Sequence, residues 1–263
     1  MKFFGGEPQH LETEEKPHSA GENLETQKEK ALQSLEIERS VKLIGNANNK
    51  RINEVFLVEL HGDGSAIFKP ASGEKFPFDW AGELYKNERA SYLVDKFLGF
   101  NLVPTTVIRE VNGEIGSMQE FVFESTVGLE IDDKLLKTNY RDALKKMWVF
   151  DYIVWNGDRH DANFLVNSDG LHAIDHGLTF VREHIQPSIY EDFYDESMPE
   201  DIIRNLEQFS DSAEQQNLLR QAMLEILNER TVDACLKRIE FMAAILKKYK
   251  GVIPKSLKPS LNY

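Results

Sequence analysis

The sequence predicts an α+β chain of two lobes, β-rich toward the N-terminus and helical toward the C-terminus. Three observations predict it. Runs rich in β-branched and aromatic residues, 54–60, 65–69, 105–111 and 117–123, are joined in pairs by glycine-bearing turns. After residue 139 the apolar residues recur at helical spacing instead. Between these regimes residues 157–175, GDRHDANFLVNSDGLHAID, read as a short hairpin that returns Asp175 toward Asn163.

Taken in order, residues 1–22 carry Gly5, Gly6, Pro8 and Pro17 among many charges. They hold too little apolar surface to offset ordering and read as a disordered tail. Residues 23–43 read as an amphipathic helix, with Leu24, Leu32, Leu35, Ile37 and Val41 among Glu, Lys and Gln, docked on the domain that follows. Glu54 to Leu60 is a strand, His61 to Gly64 a turn, and Ser65 to Lys69 the returning strand. A helix beginning at residue 81–83 runs to Leu98 and stops at Gly99. Thr105 to Val111 and Ser117 to Phe123 form a second pair around Asn112-Gly113. The N-terminal lobe is therefore expected over 44–122, the C-terminal lobe over 123–254, and a tail over 255–263. In the second lobe, Asn139 to Trp155 is helical, its stripe including Ala143, Leu144, Met147, Trp148, Ile153 and Val154. Residues 181–210 mix Pro187, Pro199 and acidic residues, and the acidic run at 190–195 reads as a solvated loop, with a repulsive wall around a substrate channel as the alternative. Two helices, about 211–228 and 230–249, close the lobe.

The hairpin carries the chemistry. Asn163 follows Asp158 by five residues and Asp175 follows after twelve more. The protein-kinase pattern HRDxxxxN followed by DFG has this order: one Asp orients the attacking hydroxyl, and an Asn and a second Asp hold magnesium. Oxygen donors of this kind suit that ion. The bland alternative, a polar connection made of ordinary turn residues, accounts for the polarity of the loop and leaves the spacing unexplained.

Other positions follow from chain order. Lys69 ends the strand Ile67-Phe68-Lys69, like the VAIK lysine that contacts ATP phosphates. Glu88, in the next helix, is the expected partner of that lysine, with Glu83 as the fallback. A phosphate-covering loop falls one hairpin earlier, at Gly45 to Arg51, where Gly45 and Lys50 are candidate contacts and an ordinary surface loop is the competing reading. Backbone groups near Glu120, Phe121 and Val122 are placed at an adenine-binding hinge. Asp151 stays open between a buried orienting carboxylate and a surface residue at the edge of its stripe.

The ordered set IFKP, NERASYLVDKFLGFNLVPTTV, GSMQEFV, VFDYIVWNGDRHDANFLV and AIDHGLTF resembles the phosphatidylinositol 3- and 4-kinase-like superfamily over roughly residues 45–200. It is most similar to type II phosphatidylinositol 4-kinases and their bacterial relatives, and DRH-x-x-N is also similar to HipA-type atypical kinases. The resemblance implies a two-lobed, protein-kinase-like fold of the atypical, lipid-kinase-like kind. It implies Lys69 on ATP phosphates, Glu88 as its partner, Asp158 as catalytic carboxylate, and Asn163 with Asp175 on magnesium. Arg159 and His160 match the DRH motif and are expected to position phosphate or the loop. Two departures stand out: a Cys-rich palmitoylation segment is missing, and the 45–51 loop lacks Gly/Ser richness.

Composition narrows the partners. The net charge is -13, from 31 basic and 44 acidic residues, which disfavours a duplex nucleic-acid binder and strong general attraction to an anionic membrane. One cysteine, Cys235, excludes an intramolecular disulfide and a Cys-rich zinc site. No apolar run has the length of a membrane span, and the expected location is cytoplasmic. The sequence thus leads to a kinase using ATP and magnesium, with a protein Ser/Thr hydroxyl slightly favoured as acceptor. A phosphatidylinositol kinase, a nucleotide-binding pseudokinase scaffold and a nucleotidyl transferase are the alternatives.

Overall fold

The computed structural model describes residues 26–43, 53–62, 64–74, 83–180 and 193–257. The expected N-terminal tail, Gly45, Lys50 and the start of the acidic run lie outside the described residues.

The first lobe is an antiparallel five-stranded sheet in the order β1-β2-β3-β5-β4. Its strands are β1 (Ile37–Lys42), β2 (Phe56–Leu60), β3 (Gly64–Pro70), β4 (Thr106–Val111) and β5 (Glu114–Glu120). The β4/β5 turn takes left-handed angles at Asn112 and Gly113, φ 53° and 83°, the pair of residues that tolerates them best in a tight hairpin. Alternation along β2 and β3 sends Val58, Leu60, Ala66 and Phe68 to one face. There they join Val107, Val111 and Met118 in a small core. A Cβ on Gly116 of β5 would lie 2.3 Å from the Lys69 carbonyl oxygen, so only glycine lets β5 approach the end of β3 this closely.

Helix α1 (Gln27–Ser34) and helix α2 (Leu84–Leu98) both pack on β4 and β5. The expected helix over 23–43 is thus corrected. It stops at Ser34, Leu35 turns extended, and Ile37–Lys42 becomes the edge strand β1. Its charged residues face solvent, as edge strands require, and this polarity is what mimicked a helical pattern. The sheet therefore begins before residue 44. β5 ends at Glu120, so Phe121, Val122 and Phe123, expected as strand, lie beyond it.

The second lobe is built on α4 (Arg141–Val154), preceded by α3 (Asp133–Asn139), with a three-stranded sheet of β6 (Thr126–Val127), β7 (Phe164–Asn167) and β8 (Gly170–Ala173). Helices α5 (Glu200–Asp211), α6 (Ala213–Leu224) and α7 (Glu229–Lys248) complete it. α5 lies in the 181–210 stretch, where no helix was expected. Pro199 precedes its first turn, Glu200 and Asp201 sit where the helix dipole favours acids, and Ile202, Leu206 and Phe209 are buried. Phe193 and Tyr194 of the same acidic stretch are also buried, against Trp148 at ring distances of 6.0 and 4.9 Å. One continuous core runs from the C-terminal half of α2 through α4 to α7.

Candidate active site

Strand β3 delivers Lys69 and helix α2 delivers Glu88, and their charged groups meet directly. Lys69 Nζ also donates to Asp175 Oδ1 at 3.1 Å, which bridges the two lobes. Glu88 is 2% exposed. A carboxylate this deep is tolerable only when paired, and its second oxygen accepts the His176 backbone N–H at 3.1 Å. Burial opposes the Lys69 charge, but Asp175 and Glu88 outweigh it and hold the ammonium above the ordinary lysine range. Lys69 in turn holds the Asp175 carboxyl below its usual range. The Asp175 side chain is 56% exposed and thus open to a ligand. Its backbone is left-handed, φ 59°, a conformation Asp adopts more readily than most residues. Glu83, the fallback partner for Lys69, instead pairs with Lys86 at 2.7 Å.

The loop after α4 carries the remaining candidates. Trp155 ends α4 in a left-handed cap, and Asn156 then bridges two carboxylate-bearing positions. Its Nδ2 donates to Asp151 Oδ1 at 2.9 Å, and its Oδ1 accepts the Asp158 N–H at 3.0 Å. Asp158 is exposed. Burial of part of its carboxyl pushes its pKa up, and the like charge of Asp175 adds to this against His160 and Arg159. Asn163 is 5% exposed, and its Nδ2 donates to the Asp158 carbonyl at 2.8 Å, which fixes Asn163 relative to Asp158. The β7/β8 hairpin returns the chain as its sequence implied: Ile174 N–H donates to the Asn163 carbonyl at 3.1 Å, one residue before Asp175.

Of the two roles expected for Arg159, on phosphate or on the loop, its surroundings fit the loop. Its side chain is 0% exposed, so it cannot touch a phosphate, and its guanidinium ties the loop together instead. Nε and Nη2 take both oxygens of Asp151 at 2.9 and 3.0 Å, and Nη1 donates to the carbonyls of Asn163 and Ile174, the latter at 2.9 Å. Asp151 is accordingly the buried carboxylate of its two readings, 3% exposed. Nη2 also meets His176 Nε2 at 2.9 Å. Arg can only donate, so Nε2 accepts and the imidazole proton sits on Nδ1, which has no hydrogen-bond partner among the described residues and lies 4.0 Å from Glu88 Oε2. Burial, with Arg159 and Lys69 nearby, holds this imidazole neutral. His160 is exposed, and its Nδ1 accepts the Ala162 N–H at 3.2 Å, capping the short turn that contains Asn163.

At the hinge, the Glu120 and Phe121 N–H groups are engaged by Thr105 and Ser65 carbonyls at 2.8 and 3.1 Å. Sequence reasoning missed Asn156 and His176: Asn beside Gly157 reads as an ordinary turn, and a His in place of the DFG phenylalanine carries no spacing signal.

These lobes and this site define a two-lobed kinase fold of the atypical kind. The phosphatidylinositol 3- and 4-kinase model matches residues 83–249, more than half of the chain, and the chain belongs to that family. The crystal structure of the Golgi casein kinase with Mn/ADP bound is similar to it with a TM-score of 0.57 at 16% identity, covering 86% of this chain and 77% of that one. A second structure of the Golgi casein kinase gives 0.55 at 16% identity, covering 84% and 75%. Protein Rv2133c of Mycobacterium tuberculosis is 30% identical over 146 residues, 43% of this chain and 52% of that protein. The chain thus spans about half the length of this curated relative. Among the described residues, no helix is long and apolar enough to cross a membrane.

Proposed function

We propose that the chain is a phosphotransferase that moves the γ-phosphate of ATP to a hydroxyl acceptor, with Lys69, Glu88, Asp158, Asn163 and Asp175 as its working residues. The observation that carries this reading is the convergence of Lys69, Glu88 and Asp175, residues from three distant segments, on one ammonium group. Lys69 is held charged for phosphate oxygens, with Glu88 fixing its direction. Asp158 is exposed, orients the acceptor hydroxyl and takes its proton as the oxygen attacks the γ-phosphorus, the bond to the β-phosphate oxygen breaks and ADP leaves. His160 supports the turn that holds Asn163. Arg159 keeps the Asp158, Asn163 and Asp175 segments in register. Val122 N–H meets no acceptor among the described residues and is the hinge donor offered to adenine, with Glu120 and Phe121 contributing carbonyl oxygens and ring surface.

The donor set fits magnesium. Asn163 and Asp175 offer an amide and a carboxylate oxygen, the one or two protein ligands that magnesium takes together with phosphates. Bound there, magnesium supplies neutralisation of the phosphate charge.

A protein Ser/Thr hydroxyl is the favoured acceptor, because the net charge of -13 disfavours residence on an anionic membrane. A phosphoinositide is the alternative. The test offers purified wild type and Asp175→Ala γ-labelled ATP and magnesium with a generic protein, phosphoinositide vesicles or no acceptor. Label transferred by wild type alone supports the reading and names the acceptor class. Transfer from α-labelled ATP would point to nucleotidyl transfer, and binding of ATP without any transfer would point to a pseudokinase scaffold.

A further inference from the structure

α1 is joined to α2 by a buried carboxylate. Glu29 is 1% exposed, and its two oxygens are divided between Arg89 Nη1 at 2.7 Å and Lys96 Nζ at 2.5 Å. Arg89 is the residue next to Glu88, and Lys96 lies two turns further along the same helix. Glu29 is itself held rigidly: it closes a capping box with Thr26, whose backbone N–H donates to Glu29 Oε2 at 2.7 Å. The tether continues into the sheet. Arg89 Nη1 also donates to the Thr106 carbonyl at 2.6 Å, and Arg109 of β4 donates to the Leu32 and Leu35 carbonyls at the end of α1, at 2.9 and 2.7 Å. Leu32 enters the small core of the first lobe.

This arrangement exceeds what docking a short helix requires. An eight-residue helix that buries one leucine has modest hold on a sheet, and a fully desolvated carboxylate is an expensive way to increase it. What a charged tether adds is direction. Two cations spaced along α2 and pinned to one fixed carboxylate set the rotation and the sliding position of that helix, and both decide where Glu88 points.

We propose that Glu29 is a positioning residue for the active site, acting through Arg89 and Lys96 on α2 so that Glu88 meets Lys69. The inference rests on the phosphotransferase reading for its functional meaning and on geometry alone for the coupling. The N-terminal helix is on this account a working part of the catalytic lobe.

The test uses the full chain with Glu29→Gln, which keeps the volume and removes the charge, and Lys96→Met, which removes one of the two tethers from the α2 side. Lys30→Ala, on the exposed face of α1, is the control. The first readout is the rate at which an amine-reactive acetyl ester labels Lys69, followed by mass spectrometry, with circular dichroism and Tm recorded alongside. Glu29→Gln should speed Lys69 labelling severalfold, and Lys96→Met less, with the secondary structure unchanged. The second readout is magnesium-ATP turnover, where Glu29→Gln should lower kcat on the order of tenfold and shift the nucleotide KM less. Wild-type Lys69 labelling in both variants alongside a lower Tm would overturn the proposal and leave Glu29 as a staple of the fold. Faster labelling in a protein whose wild type turns over no ATP would uphold the coupling and sink the phosphotransferase reading instead.

Discussion

Replacing Arg159 by methionine tests the claim that this residue builds the active-site loop from beneath without touching substrate. The substitution keeps much of the side-chain volume and removes every donor. Asp151, 3% exposed, then keeps Asn156 Nδ2 and loses both guanidinium contacts. The Ile174 carbonyl loses its Arg159 donor, and the Asn163 carbonyl keeps the Ile174 N–H. Removing one partner of a buried pair costs about 3–5 kcal/mol, chiefly because the other charge stays buried. With a urea slope of about 3 kcal/mol/M for a chain of this size, the unfolding midpoint should fall by roughly 1 M or more. Tryptophan fluorescence is a suitable probe, since Trp148 and Trp155, two of the chain's three tryptophans, lie on α4 or at its cap beside Asp151. The double variant Arg159→Met/Asp151→Leu removes the stranded charge and should regain about 2 kcal/mol or more. Its turnover should stay low, because the carbonyls of Asn163 and Ile174 still lack their common anchor. A single variant within about 1 kcal/mol of wild type would refute the reasoning, because that is no more than an ordinary exposed ion pair contributes.

Two further outcomes follow from packing and burial. A Cβ on Gly128 would meet the Phe164 ring at 2.2 Å and the Asp161 carbonyl oxygen at 2.6 Å, so Gly128→Ala should cost about 1–3 kcal/mol and raise amide exchange over residues 161–164, read by mass spectrometry. Asp95, 2% exposed, accepts the Leu102 and Val103 N–H groups, and burial pushes its carboxyl up to about 7 from 3.8. The native state then keeps a proton that the unfolded chain releases, so this contribution to stability is fully present below about pH 4 and is lost as pH rises through about 7. Asp95→Asn should flatten that fall, measured as urea midpoints across the interval.

The parts of the site legible in the sequence were those fixed by local spacing. Asp158 and Asn163 precede one short hairpin and Asp175 follows it, and the hairpin brings the residue before Asp175 back to Asn163. Lys69 and Glu88 were legible through chain order, a lysine near the end of a short strand and a glutamate in the helix that follows it. The Glu29 tether was not legible, because a Glu on a polar helix face looks the same whether it faces water or two cations from residues 60 and more positions away. α5 was hidden for a related reason: Glu200 and Asp201 belong to a helix N-terminus, and an acidic stretch containing Pro199 reads equally well as a loop. Arg159 carried the opposite ambiguity, since a motif position beside a catalytic residue suggests contact with substrate, while its 0% exposure assigns it to the support beneath.

The site is a continuous polar chain across the lobes rather than a set of separate groups. Asp151 takes Arg159, Arg159 donates to His176, the His176 N–H reaches Glu88, and Glu88 meets Lys69, which closes on Asp175. Glu88 is the member both lobes share: one oxygen is committed to the strand lysine, the other to the backbone that follows Asp175. A carboxylate has an acceptor for each, whereas an amide would turn a donor toward one of them. The same carboxylate therefore sets the direction of Lys69 and the distance of the Asp175 segment from α2. The position of α2 is in turn held from outside by Glu29. Two buried carboxylates, Glu29 reaching across from α1 and Glu88 on α2 itself facing the site, thus fix α2 from both sides.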